Sequence, residues 1–146
     1  MAYFNPAYES DEDREGEARV AMILGEVWEC ELLPLPRFSL VDYMAVKDGV
    51  VWAFVEIKRR RVAHDHYPTY MLSAKKVNGV VDMANRLRIE AVIGVEFTDG
   101  IYWIDAHEMS RGSLHYSGRD DRPWDENAME KTYHIPHEQL RRHDVS

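Results

Sequence analysis

Apolar residues recur at helical spacing in residues 11–26, where Val20, Ala21 and Leu24 lead into Val27 and Trp28 along one stripe. Ser10, followed by Asp11, Glu12 and Asp13, supplies an N-cap and an acid-rich first turn that suits the helix dipole. Residues 1–10 ahead of it read as an irregular arm. Glu17 lies one turn before Ala21 on the apolar stripe, whereas Glu12, Asp13 and Glu15 have better claims to solvent. After Gly25, residues 27–33 predict a short strand, which Pro34 and Pro36 stop. Two apolar runs, 39–46 and 50–58, then flank Lys47-Asp48-Gly49, a strong hairpin signal. Residues 62–69 read as a loop. Ser73 caps a second helix over 74–87, whose apolar face is Val77, Val80, Val81, Ala84 and Leu87. Residues 89–97 are apolar with few interruptions and predict a buried strand, which turns at Thr98-Asp99-Gly100 into a further strand over 101–104. The polar, glycine-containing stretch 110–127 predicts a long loop, 132–135 before Pro136 an edge strand, and 137–146 a short fraying helix.

This succession predicts an α/β fold: one domain over 1–146, with a mixed central β-sheet flanked by helices. The hydrophobic fraction of 45% and charged fraction of 30% describe an ordinary globular protein. Cys30 is the single cysteine, which excludes an internal disulfide and fits a reducing, cytoplasmic compartment. No signal-peptide pattern opens the chain and no apolar run approaches membrane-spanning length, so no membrane partner is expected. There is no internal repeat.

The hairpin concentrates the chemistry. It places Asp42 on one strand and Glu56 with Lys58 on its neighbour. Alternate strand residues share a face, so Glu56 and Lys58 point one way and Ile57 the other. Two carboxylates and an ammonium then meet at the edge of an apolar sheet, which is costly without a ligand. Mutual repulsion of the acids is expected to raise the pKa of at least one carboxyl. Hard carboxylate oxygens suit Mg²⁺ (or Mn²⁺), and a lysine beside such an ion could orient a water or stabilise developing negative charge. The net charge of −8 argues against nucleic acid, but its distribution argues back. Residues 56–88 hold eight basic and three acidic residues, net +5, leaving −13 for the rest of the chain. Arg59, Arg60, Arg61, Lys75 and Lys76 are the candidate phosphate contacts. The alternative is that Arg59-Arg60-Arg61 is a solvated strand end. In the loop, His64-Asp65-His66 has two histidines around an acid but no further ligands at zinc spacing, so it reads as a flank of the cleft. Arg119 and Arg122 either contact phosphates or pair with Asp120, Asp121 and Asp125.

Asp42, a turn, and Glu56-Ile57-Lys58 fourteen residues on resemble the PD-(D/E)XK nuclease superfamily, with Val41-Asp42 in place of its usual Pro-Asp. The resemblance covers roughly residues 14–105. It implies the core order α-β-β-β-α-β of the restriction-endonuclease-like fold and a Mg²⁺-dependent deoxyribonuclease of the small resolvase-like or phage type. It further implies Asp42, Glu56 and the Ile57 carbonyl as metal ligands and Lys58 as the residue assisting the attacking water. Glu17 is the helical glutamate that completes the metal site in that family; the alternative is an ion pair with Arg14 or Arg19. Lys76 matches the basic residue such nucleases carry on the second helix; the alternative is a solvated lysine.

DNA is the implied partner, selected by structure rather than sequence, in the host cytoplasm if the gene is a phage's. The sequence leaves open whether the chain forms a homodimer. Two other readings stand beside this one: a non-catalytic nucleic-acid- or protein-binding module of the same fold, and an unrelated α/β protein in which Glu56 and Lys58 merely pair.

Overall fold

The computed structural model describes residues 11–36, 39–118 and 129–142; the N-terminal arm, Ser10, Arg119 and Arg122 lie outside the described residues. Its elements are α1 (Asp11–Val27), β1 (Glu31–Pro34), β2 (Tyr43–Lys47), β3 (Val50–Arg59), β4 (Thr69–Ser73), α2 (Ala74–Leu87), β5 (Glu90–Phe97), β6 (Gly100–Asp105), α3 (Ala106–Met109), β7 (Ser113–Gly118), β8 (Met129–Pro136) and β9 (Arg141–Arg142). A six-stranded sheet runs β1-β2-β3-β5-β6-β9. Within it β3 and β5 pair in parallel and the other neighbours are antiparallel. A second, three-stranded sheet runs β4-β8-β7.

The central sheet is covered on both faces. α1 packs Val20, Ala21 and Leu24 on Ala53, Val55 and Ile57 of β3. On the other face, α2 and the second sheet bring Val77, Val80, Tyr70, Leu72 and Ile135 against Phe54, Ile93 and Val95. Burial on both sides explains the nearly unbroken apolar run of β5. Gly94 is part of the fit, because a Cβ there would come within 2.6 Å of Leu24 Cδ1. The hairpin turns through Asp48 (φ 53°) and Gly49 (φ 76°), the two consecutive positive values that a tight Asp-Gly turn demands.

The α/β class and the order α-β-β-β-α-β stand, with additions. β4 precedes α2, over residues that the sequence left unassigned between the loop at 62–69 and Ser73; Tyr70 and Leu72 are buried and Met71 is exposed. The long loop expected over 110–127 contains β7, which pairs with β8. β8 is therefore the middle strand of its sheet, flanked by β4 and β7, and not an edge; Pro136 is tolerated because it ends the strand. Among the described residues of the tail, 137–142, a single 3₁₀ turn (His137–Gln139) and β9 stand where a helix was expected. The first motif strand begins at Tyr43 rather than at residue 39, and the strand expected over 27–33 is confined to Glu31–Pro34. Val27 and Leu87, assigned to buried helix faces, are 45% and 61% exposed. Among the described residues no helix is long and apolar enough to cross a membrane.

Candidate active site

The site forms where β2 leaves β3. Pairing of the two strands begins at Tyr43 opposite Val55, so Ile57 lies past the end of that ladder. Asp42 fills the gap: its Oδ2 accepts a hydrogen bond from the Ile57 amide at 2.9 Å. A strand residue directs its N–H and C=O toward the same neighbour, so the Ile57 carbonyl faces the opening that Asp42 occupies.

Glu56 points to the opposite face from Ile57, into the α2 side of the sheet. It is 1% exposed, and neither carboxylate oxygen has a hydrogen-bond partner. Two ammonium groups approach the same oxygen, Oε2: Lys58 Nζ at 3.4 Å and Lys76 Nζ at 3.3 Å. Well-formed charge-assisted hydrogen bonds are shorter, about 2.7–2.9 Å, so these are loose ion pairs and Oε1 is left with none. Burial pushes the Glu56 pKa up, and the nearby Asp42 charge adds to the rise, against the pull of Lys58 and Lys76. The sequence attributed a raised carboxyl to repulsion alone; withdrawal from water is the larger cause. Lys76 reaches Glu56 because Ser73 caps α2, its Oγ accepting from the Lys76 amide at 3.5 Å. This turns the first turn of the helix onto β3 and brings the Lys76 ammonium beside Glu56.

Glu17 approaches from the other face. With Asp42 it lines an open groove of about 1000 Å³ between α1 and the β1–β2 edge, and Glu56 and Lys58 are not among the residues of that groove. Asp42 is thus common to both sides. The groove is acidic, with Glu26, Glu29, Glu31 and Asp48 along it.

The basic run divides between the faces. Arg59 turns to the α1 side, where its Nε meets Glu96 Oε1 at 2.9 Å. Arg19 of α1 holds both oxygens of Glu96, at 2.9 and 2.7 Å. A Cβ on Gly16 would lie 2.1 Å from Arg59 Nη1, so a larger residue there would push this guanidinium aside. Arg60 turns the other way, over the ring of Tyr70 at 5.4 Å. Arg61 and Lys75 are exposed. Arg59 thus ties β3 to Glu96 of β5, and Arg60, Arg61, Lys75 and Lys76 face the Glu56 side or solvent.

The histidine loop is also tied down. His64 donates its backbone N–H to Asp99 Oδ1 at 2.9 Å, its Nδ1 lies 2.5 Å from Oδ2, and its ring stacks on Tyr102 at 4.3 Å. Potential ligand atoms of His64, Asp65 and Asp99 lie within 4.8 Å of one another, without His66. Tyr70 was missed by the sequence reading: it is fully enclosed beside the site, and its hydroxyl has no hydrogen-bond partner.

A family described as "Phage putative PDDEXK endonuclease" matches residues 3–143. No curated protein is significantly similar to the chain. Among solved structures, Archaeoglobus fulgidus Hjc, a Holliday junction resolvase from an archaeal hyperthermophile, is similar with a TM-score of 0.53 at 18% identity, over 83% of this chain and 84% of that one. At that identity the likeness is one of fold. The family match covers nearly the whole chain and includes the Asp42, Glu56 and Lys58 constellation, and the chain belongs to this family of PD-(D/E)XK nucleases.

Proposed function

We propose that the chain is a DNA endonuclease that uses Mg²⁺ or Mn²⁺ and selects DNA structure rather than sequence. One observation carries the proposal: a fully buried glutamate with no hydrogen-bond partner on either oxygen, beside a second carboxylate and two lysines. A buried charge in that state calls for a ligand. Its oxygens, those of Asp42 and the Ile57 carbonyl form a hard donor set suited to a divalent cation. Glu17 adds a carboxylate from the groove side.

When bound, the cation activates a water and neutralises charge on the scissile phosphate. Lys58 orients that water and sets its ammonium against the negative charge that develops on the phosphoryl oxygens. Lys76 offsets part of the Glu56 charge from α2. Phosphates are excluded from the α1 groove by its acids, so the DNA lies along the α2 side, on Arg60, Arg61 and Lys75. Residues 1–146 act as one nuclease domain that recognises DNA shape. The structural neighbour is described as a Holliday junction resolvase, which makes branched DNA the first substrate to try and a homodimer, cutting two strands, the matching assembly. The family's phage assignment points to the host cytoplasm as the place of action.

The test is cleavage by the purified protein, with Mg²⁺ or Mn²⁺, of linear, supercoiled, branched and single-stranded DNA. Metal-dependent internal cuts, fastest in branched DNA, are expected. No metal-dependent cleavage of any substrate would reject the reading and favour a non-catalytic module of the same fold.

A further inference from the structure

Tyr70 does not behave as an ordinary core tyrosine. Its ring has partners: Phe97 edge-on at 5.8 Å and the guanidinium of Arg60 above it at 5.4 Å. Packing of the ring alone would be met equally well by phenylalanine. Its hydroxyl is buried and has no hydrogen-bond partner, a state that native proteins rarely leave unanswered.

The position of that hydroxyl follows from two chain connections. Arg60 follows Glu56 and Lys58 at alternate positions along the same edge of β3, and it lies over Tyr70. Three residues beyond Tyr70, Ser73 caps the helix whose Lys76 reaches Glu56 at 3.3 Å. The β4–α2 unit is thereby laid over the Glu56 face of β3 from both ends. Among the described residues, the buried side-chain oxygens without hydrogen-bond partners are those of Glu56 and Tyr70 alone. Tyr70 packs in one cluster with Phe54, two residues before Glu56 on β3, and with Ile93, which pairs with Glu56 across β5.

Two orphaned groups buried on the same face of the sheet are most simply answered by one ligand. A divalent cation of the Mg²⁺ kind keeps several of its waters, and those waters need partners beyond the direct ligands. A phenol can accept from one such water and donate to another acceptor at the same time. We propose that the Tyr70 hydroxyl is a positioning residue of the active site, bound through a water to the cation held by Asp42 and Glu56. The inference rests on the metal-dependent reading above.

The phenol serves here as a neutral hydrogen-bonding group and not as a proton carrier. Burial pushes its pKa up to about 12; Arg60 pulls against this, and the charge of Glu56 adds to the rise. It keeps its proton at neutral pH.

The experiment is a titration of wild type, Tyr70→Phe and Tyr102→Phe with MgCl₂ and MnCl₂ in the absence of DNA, read by thermal melting. Tyr102 is a second buried tyrosine of the same aromatic cluster and controls for repacking. For Tyr70→Phe we expect a melting temperature in EDTA at or above that of wild type, since an unpartnered hydroxyl has been removed. We also expect a half-stabilising metal concentration about tenfold or more higher than wild type. Tyr102→Phe should keep the wild-type concentration. An unchanged half-stabilising concentration in Tyr70→Phe, with wild type responding to metal, overturns the role of Tyr70 and leaves the metal site standing. A Tyr70→Phe protein less stable than wild type in EDTA overturns it too, by showing that the hydroxyl already has a partner in the apo fold. A wild type that ignores both ions overturns the active-site reading and this inference with it.

Discussion

Glu56 and Glu96 stand on neighbouring parallel strands of one sheet, on opposite faces, and are held in opposite ways. Glu96 is 19% exposed in its side chain and fully engaged, with Arg19 on both oxygens and Arg59 on one. Partial burial works against its charge, but the hydrogen bonds from the two arginines outweigh it, and its pKa is lowered. Glu56 is buried, lacks any well-formed hydrogen bond, and its pKa is raised. The first arrangement is what a carboxylate needs in order to join a helix to a sheet. The second raises the free energy of the fold in return for a site that a cation can complete. On the proposed function, a glutamate serves structure or chemistry here according to which face of the sheet receives it.

The largest expected effect is on cleavage. Glu56→Gln and Lys58→Ala should each lower the cleavage rate by at least about a hundredfold, the scale on which a positioned charge or proton-handling group acts. They should part in metal binding: Lys58→Ala keeps stabilisation by Mg²⁺ and Glu56→Gln loses it, because lysine is not a ligand. Glu96→Gln should leave metal binding in place and instead reduce stability by about 1–2 kcal/mol, the scale of a partly exposed charge-assisted network. Cleavage assays and thermal melts on the three variants check this. A Lys58→Ala protein that cuts at the wild-type rate would remove lysine from the mechanism.

The two faces were not equally legible in the sequence. Asp42, Glu56 and Lys58 could be read together because one hairpin joins them, and the Asp48-Gly49 turn announces it. Lys76 was legible as a candidate but not as a contact, since its aim depends on how Ser73 starts α2. The Glu96 tie was invisible. It joins Arg59 to a residue 37 positions away through a parallel pairing whose register is set only when α2 has crossed over the sheet. The sequence therefore left Arg59 with the candidate phosphate contacts, on which side of the sheet it had no bearing. β7 and the central place of β8 were hidden for the same reason: their pairing is non-local, and the intervening stretch is polar. Tyr70 escaped because its ring looks like core and only the unpartnered hydroxyl sets it apart.

pH should separate the two glutamates next. The raised pKa of Glu56 means that the folded apo protein binds more protons than the unfolded chain between the ordinary glutamate range and the raised value. Its stability should therefore fall as pH rises through that window. Glu96 has the opposite sign: its lowered pKa contributes stability above the ordinary glutamate range, and this is lost as pH falls through the folded value. Melts in EDTA across the acid-to-neutral range should show the Glu56→Gln curve without the fall on the alkaline side and the Glu96→Gln curve without the additional loss on the acid side. The reverse assignment would mean that the roles of the two carboxylates have been exchanged.

The smallest expected effect lies in the arginine run. Arg60→Ala and Arg61→Ala should weaken DNA binding to a similar degree across sequences and each reduce the salt slope by about 1. Arg59→Ala should leave the slope unchanged and lower the melting temperature. Binding isotherms at several salt concentrations decide this, and an altered slope for Arg59→Ala would place that residue on the DNA.

The central claim is that the buried charge of Glu56 destabilises the apo fold and is answered by a divalent cation. It is tested most directly by thermal melting of wild type and Glu56→Gln near neutral pH, in EDTA and in Mg²⁺. In EDTA the variant should be the more stable of the two. With Mg²⁺ at a hundredfold excess over Kd, wild type should gain about 2.7 kcal/mol and the variant almost nothing. A wild type indifferent to Mg²⁺, together with a variant less stable than it in EDTA, would contradict the account and make Glu56 a structural residue.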